Sequence, residues 1–159
     1  MALADPTTEY ILLLPEATAA ELTLPGPNFR IVPSRRLSYN RWLRVLWEQL
    51  ILPAWARKHG VDVLVSATNY GPRLPLCRQV VCLFNALYYS DEYWRLLAGD
   101  RVAQWSLALQ RFVVGLAVAG SQVVVVQQPA MIAATRRYFR GLPETKFRLM
   151  PNAAPPVPP

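Results

Sequence analysis

The chain is poor in the residues on which much chemistry depends. Among 159 residues it has two cysteines, one histidine and seven glycines, and ten acidic residues against 17 basic ones. Cys77 and Cys82 lie five positions apart beside a run of strand character. A period of two turns them to opposite faces, which argues against a mutual disulfide. They form neither a CxxC pair nor a zinc spacing, so a reducing, cytosolic setting is expected. His59 alone cannot build a multi-histidine metal site, and any nucleophilic triad would have to use it. It closes the terminus Arg57-Lys58-His59-Gly60, where the helix dipole already favours it. There is no GxGxxG and no GxxxxGK[ST] phosphate loop. Heptads are lacking too, which argues against a coiled coil. No metal and no cofactor is expected on this chain.

Long apolar runs are also scarce. The longest, Phe112–Val126, is interrupted by Gly120, Ser121 and Gln122 and falls short of the ~20 residues of a membrane-spanning helix. It reads as a helix end followed by a buried strand. The opening segment Met1–Pro6 contains Asp5 and has no basic start, so no signal peptide is expected.

What is present is a core and a basic surface. Hydrophobic residues make up 53% and charged residues 17%, enough for one packed domain and too apolar for disorder. The net charge of +7 is unevenly spread. Positions 30–60 hold seven basic residues against Glu48, and positions 101–159 hold seven against Glu144. Such asymmetry suits an anionic partner or a solvated basic face. Arg35, Arg36, Arg41 and Arg44 are the candidate anion contacts, interleaved with Trp42, Trp47 and Trp55. Trp and Arg together suit an interfacial helix, and Trp at helical spacing equally suits a core. Nucleic-acid signatures are absent, so no specific nucleic-acid partner is expected.

Six short runs read as strands: Tyr10–Leu14, Phe29–Val32, Val61–Val65, Val80–Phe84, Val123–Val126 and Phe147–Met150. Several are uniformly apolar, as in strands covered on both faces. Tyr39–His59 reads as helix, with Trp42, Val45, Leu46 and Leu50 on one stripe, a break at Pro53 and a stop at Gly60. Trp94–Ala119 is a second helical stretch, split near Gly99-Asp100 with Asp100 as N-cap. Gln128–Arg140 is a third, with Pro129 in its first turn and Gly141 just past its end. The alternation predicts an α/β domain with a mainly parallel sheet, Rossmann-like and three-layered, over residues 1–150. The proline-rich residues 151–159 read as a linker.

In such sheets ligands bind beyond the carboxyl ends of the strands. Ser66-Ala67-Thr68-Asn69-Tyr70-Gly71-Pro72 supplies small polar groups at one such end, and Asn85–Asp91 and Gln127–Pro129 occupy two others. Tyr88, Tyr89, Tyr93 and Trp94 can stack on a sugar or base, or pack a loop onto the domain. Asp91 and Glu92 are adjacent, so their carboxylates diverge, and they are expected to be solvated at a helix start.

Trp47-Glu48-Gln49, Leu52-Pro53, Val61-Asp62-Val63-Leu64-Val65-Ser66 and Asn69-Tyr70-Gly71-Pro72, in this order and spacing, resemble retaining glycosyltransferases of the large group-one type. The resemblance spans residues 10–153 and implies one half of a GT-B fold, the acceptor-side domain. Phe84-Asn85 stands where that family has His-Asp, Gln127-Gln128 where it has Ser-Glu, and Pro151-Asn152-Ala153 where it has Pro-Asn-Gly. The resemblance therefore implies acceptor recognition by Asn69, Gly71, Asn85 and Gln127, with Tyr88 as a stacking residue and no assigned catalytic group. It further implies a nucleotide-sugar held by a domain outside this chain, a sugar or lipid-linked acceptor, and a cytoplasmic site at the inner membrane face. The family's first strand, which would lie between Tyr10–Leu14 and Val61–Val65, has no counterpart here, so self-association or marginal stability is expected. The rival expectation is a non-catalytic basic module for anionic membranes or a partner protein.

Overall fold

A computed structural model describes residues 5, 7–24, 26–38 and 40–150, the side chain of Arg41 excepted. The expected linker, residues 151–159, lies outside them. The chain is an α/β protein whose strand pairs, among the described residues, are parallel. It divides into two compact units, Met1–Trp47 and Glu48–Pro159.

The first unit holds β1 (Tyr10–Leu14), α1 (Glu16–Glu21), β2 (Phe29–Pro33), a 3-10 turn at Arg35–Ser38 and most of α2 (Arg41–Leu50). β1 and β2 form a two-stranded sheet in which Tyr10 faces Phe29, their rings stacked with centroids 4.6 Å apart. α1 was not foreseen; it is a short turn of helix after Pro15 with no buried residue.

The second unit is built on a four-stranded sheet in the order β3 (Val63–Ser66), β4 (Arg78–Leu83), β5 (Val123–Val126), β6 (Phe147–Leu149). Among the described residues, β1 pairs with β2 in the first unit and β3 pairs with β4 in the second. The core contains Val81 and Leu83, Val124 and Val126, and Phe147, joined by Leu107, Val114, Ala117 and Val118 of α5 (Arg101–Gly120). β4 and β5 are well covered, as their uniform apolarity predicts. β3 is not: Val63 is 46% and Val65 59% exposed.

Local signals placed most boundaries. The helical run 39–59 breaks at Ile51 into α2 and α3 (Leu52–Lys58), with Pro53 in the first turn of α3, where its missing N–H costs no helical bond. Gly60 ends α3 at φ +65°. The foreseen stripe on α2 needs correction. Val45 is buried, yet Leu46 and Leu50 are exposed, and Trp47 and Glu48 are buried instead. Next to them, Gln49 reaches the loop after β3. Asp100 caps α5, its Oδ1 accepting from Ala103 N at 2.9 Å, and separates it from α4 (Asp91–Leu96). α6 (Pro129–Tyr138) starts at Pro129, and Gly141 follows at φ +85°. α5 is long and apolar enough to cross a membrane by length and composition, and one of its faces packs into the core.

The link from β3 to β4 is unusual. Parallel neighbours normally need a crossover of about a dozen residues or more, commonly a helix. Here eleven residues, 67–77, make the connection without one.

Candidate functional site

That loop is fixed by polar contacts reaching it from three elements. Gln49 spans it, donating from Nε2 to Gly71 O at 2.6 Å and accepting from Arg73 N at 2.9 Å. Gln79, fully buried on β4, donates to Pro72 O at 3.2 Å and to Ala117 O at 3.3 Å. Gly120 lies so close beneath that a β-carbon there would sit 2.4 Å from Arg73 O. Gly71 is buried in this packing, and a β-carbon on it would meet Ser66 Oγ at 2.8 Å. A β-carbon there would require the rotatable Ser66 hydroxyl to move, and Gly71 does not line the cavity described below.

Asn69 bridges two loops. It adopts φ 64°, a left-handed conformation that Asn tolerates better than most residues. Its Oδ1 accepts from Phe84 N at 2.7 Å and Asn85 N at 3.2 Å. Asn85 in turn caps the 3-10 turn Ala86–Tyr89, accepting from Leu87 N at 3.0 Å. Both amide oxygens are thus committed to backbone donors, which orients each Nδ2 as the remaining donor.

Beneath Asn85 lies a cavity of about 180 Å³ between the 3-10 turn, α4 and α5. Tyr88, Tyr93, Ser106 and Gln110 also line it. It is smaller than the ~300–1,000 Å³ of a drug-sized site. Ser106 and Gln110 were missed at the sequence level. They are a polar pair one turn apart on a mostly apolar helix, with Gln110 Nε2 on Ser106 O and Oγ, both at 3.1 Å.

The aromatic cluster mostly packs the loop onto the domain. Tyr88 is 7% and Tyr89 2% exposed. Tyr88 Oη and Tyr70 Oη share a hydrogen bond of 3.0 Å, so the loops after β3 and β4 meet twice. Burial raises the Tyr89 hydroxyl above its ordinary pKa. Arg111, also unforeseen, fastens the assembly from α5. Its Nε donates to Tyr88 O and its Nη2 to Ser90 O at 3.1 Å. The guanidinium lies between the rings of Trp94 and Tyr138, 4.9 and 4.6 Å from their centroids.

Gln127 follows β5, which is the neighbour of β4, with Val126 in register with Leu83. Asn69, Asn85 and Gln127 therefore stand just past the carboxyl ends of three adjacent parallel strands. Gln127 is half-buried and already engaged in an interaction.

The remaining candidates lie elsewhere. Arg35 pairs with Glu16 at 3.0 Å, Arg36 is exposed and Arg44 is half-buried. The side chain of Arg41 lies outside the described residues. His59 caps α3 with its ring 4.3 Å from that of Trp55. Asp91 accepts from Tyr138 Oη at 2.6 Å and pairs with Arg137 at 2.8 Å. Chiefly the Tyr138 hydroxyl, then Arg137, holds its carboxyl below the usual range. Both cysteines are free, and burial raises both thiols. Among the described residues no group of three His, Cys, Asp or Glu side chains could hold a metal ion. Comparison with protein-family models, with curated proteins and with solved structures gives no match for this chain.

Proposed function

We propose that this chain is an acceptor-binding domain of an enzyme that transfers a sugar from a nucleotide-sugar to an acceptor hydroxyl, and that it is inactive alone. The observation that carries this reading is the row Asn69, Asn85 and Gln127 at the carboxyl ends of β3, β4 and β5. With their oxygens held by backbone N–H groups, the Nδ2 groups of Asn69 and Asn85 can donate to the hydroxyls of a sugar without ionising. The cavity under Asn85 and Tyr88 has room for a small ring-sized group beside that row. The resemblance to group-one glycosyltransferases supports the same assignment. None of these residues is a nucleophile or a strong base, so the chain contributes orientation of the acceptor. A separate domain holds the nucleotide diphosphate.

The test is amide shift mapping by NMR with methyl glucoside, methyl mannoside and N-acetylglucosamine as probes. Shifts concentrated at Asn69, Asn85, Tyr88 and Gln127 support the reading. Silence at all four across the panel overturns it. Sugar transfer from UDP-glucose by the purified chain alone would overturn the claim of inactivity.

The second reading, a basic module at an anionic membrane, rests on the net charge of +7 and on exposed Arg36 beside Arg35. Trp47, which that reading would place at the interface, is 5% exposed and so belongs to the packed interior.

A further inference from the structure

α5 has its polarity inverted. Six of its twenty residues are exposed, namely Arg101, Val102, Trp105, Leu109, Phe112 and Ala119, and five of these are apolar. Val102 is 80%, Trp105 77%, Phe112 62% and Leu109 44% exposed. A helix of a soluble domain ordinarily turns charged and polar residues outward and one apolar stripe inward. Here Leu107, Val114, Ala117 and Val118 form the inward stripe, and a second apolar stripe faces out. The four large outward residues together offer on the order of 500 Å² of apolar surface, at the upper end for a monomer.

We infer that the outward stripe of α5 is a self-association surface, pairing with α5 of a second copy in antiparallel orientation. Spacing, shape, charge and area favour that occupant. The positions 102, 105, 109 and 112 follow the three-four-three spacing of a coiled-coil seam, too short to stand out in the sequence. The seam is narrow, because the residues beside it at 103, 104, 106, 108 and 110 are half-buried. A narrow seam fits a second helix, whereas a bilayer takes a broad apolar face bordered by basic residues.

An antiparallel pair about a two-fold axis at the level of Leu107 sets Val102 against Phe112 and Trp105 against Leu109. Each layer then combines a large and a smaller side chain, as interdigitated packing requires. The orientation also opposes the two helix dipoles. Arg101 and Arg111 are the ionisable residues of α5. Arg111 is engaged by Tyr88, Ser90, Trp94 and Tyr138, and antiparallel pairing puts the two copies of Arg101 at opposite ends. The seam therefore concentrates little of the net positive charge. Two copies would bury on the order of 1,000 Å², the lower bound of a specific interface.

Sedimentation equilibrium of the full chain tests the inference. The expected result is a reversible dimer, weakened at least tenfold by Trp105→Glu and likewise by Val102→Glu. Far-UV circular dichroism of each variant should show unchanged helix content, since both side chains are mostly exposed. Orientation is read by oxidative cross-linking. Val102→Cys with Phe112→Cys should give a covalent dimer, whereas Val102→Cys alone should not, because its two copies would lie about 15 Å apart along the axis. A monomer at concentrations up to roughly 100 μM overturns the inference. So does a dimer unaffected by either glutamate. A monomer that binds phosphatidylcholine–phosphatidylglycerol vesicles through Trp105 overturns it too, and assigns the face to a lipid surface.

Discussion

The side-chain oxygen of Asn69 accepts the backbone N–H of Asn85 at 3.2 Å, so the loop after β3 sets the position of the loop after β4. The same oxygen holds Phe84 N at 2.7 Å, and the left-handed backbone of Asn69 aims it there. Asn69→Ala is expected to lose about 2–3 kcal/mol, combining two hydrogen bonds with the better tolerance of positive φ that Asn has over Ala. Asn69→Gly relieves only the backbone part. Urea unfolding of the two variants separates these contributions, and equal losses would refute the division.

Gly120 is needed because the helix-free crossover passes directly over it. A methyl group there would lie 2.4 Å from Arg73 O and 2.6 Å from Pro72 O. Gly120→Ala should destabilise by about 1–3 kcal/mol, through displacement of the crossover. Gly99→Ala, which meets nothing within 4 Å, is the control and should leave the urea midpoint nearly unchanged.

Arg111 serves two carbonyls and two aromatic faces from one planar group. A lysine is a point charge on a flexible stem and cannot reproduce that geometry. Arg111→Lys should therefore cost about 2–3 kcal/mol and loosen the 3-10 turn that carries Asn85 and Tyr88. Hydrogen exchange at Leu87 and Tyr88 reads the loosening. Protection equal to that of the parent chain would count against the clamp.

Asp91 carries an acid-sensitive contact. Its carboxyl titrates below its ordinary 3.8, held there first by the Tyr138 hydroxyl. A depressed folded-state pKa means that the contribution is present above pH 3.8 and fades as pH falls through the lowered value. Tyr138→Phe should remove that part of the acid dependence, leaving a flatter stability profile beneath pH 4. Thermal unfolding of both chains across this range checks it. Parallel profiles would dismiss the contact.

Local chemistry made much of the fold legible in the sequence. Four consecutive valines became β5, Asp100 capped α5, Pro129 opened α6, and Gly60 ended α3 at positive φ. Such signals act within a few residues of the backbone they control, so they survive without knowledge of the rest of the chain. The row Asn69, Asn85 and Gln127 was legible for the same reason, since the residue after a strand end can be counted off.

Only tertiary structure decided which faces turn inward and which polar groups meet. Leu46 and Leu50 face out while Trp47 and Glu48 are buried, because a helix with apolar residues on several sides is oriented by its partners. The same holds for α5, where two apolar stripes compete and one alone can cover the sheet. Gln49, Gln79, Ser106, Gln110 and Arg111 look like ordinary polar residues in the chain. Their partners lie 4 to 38 positions away, and the residues linked at that upper range meet only once the sheet and α5 have packed.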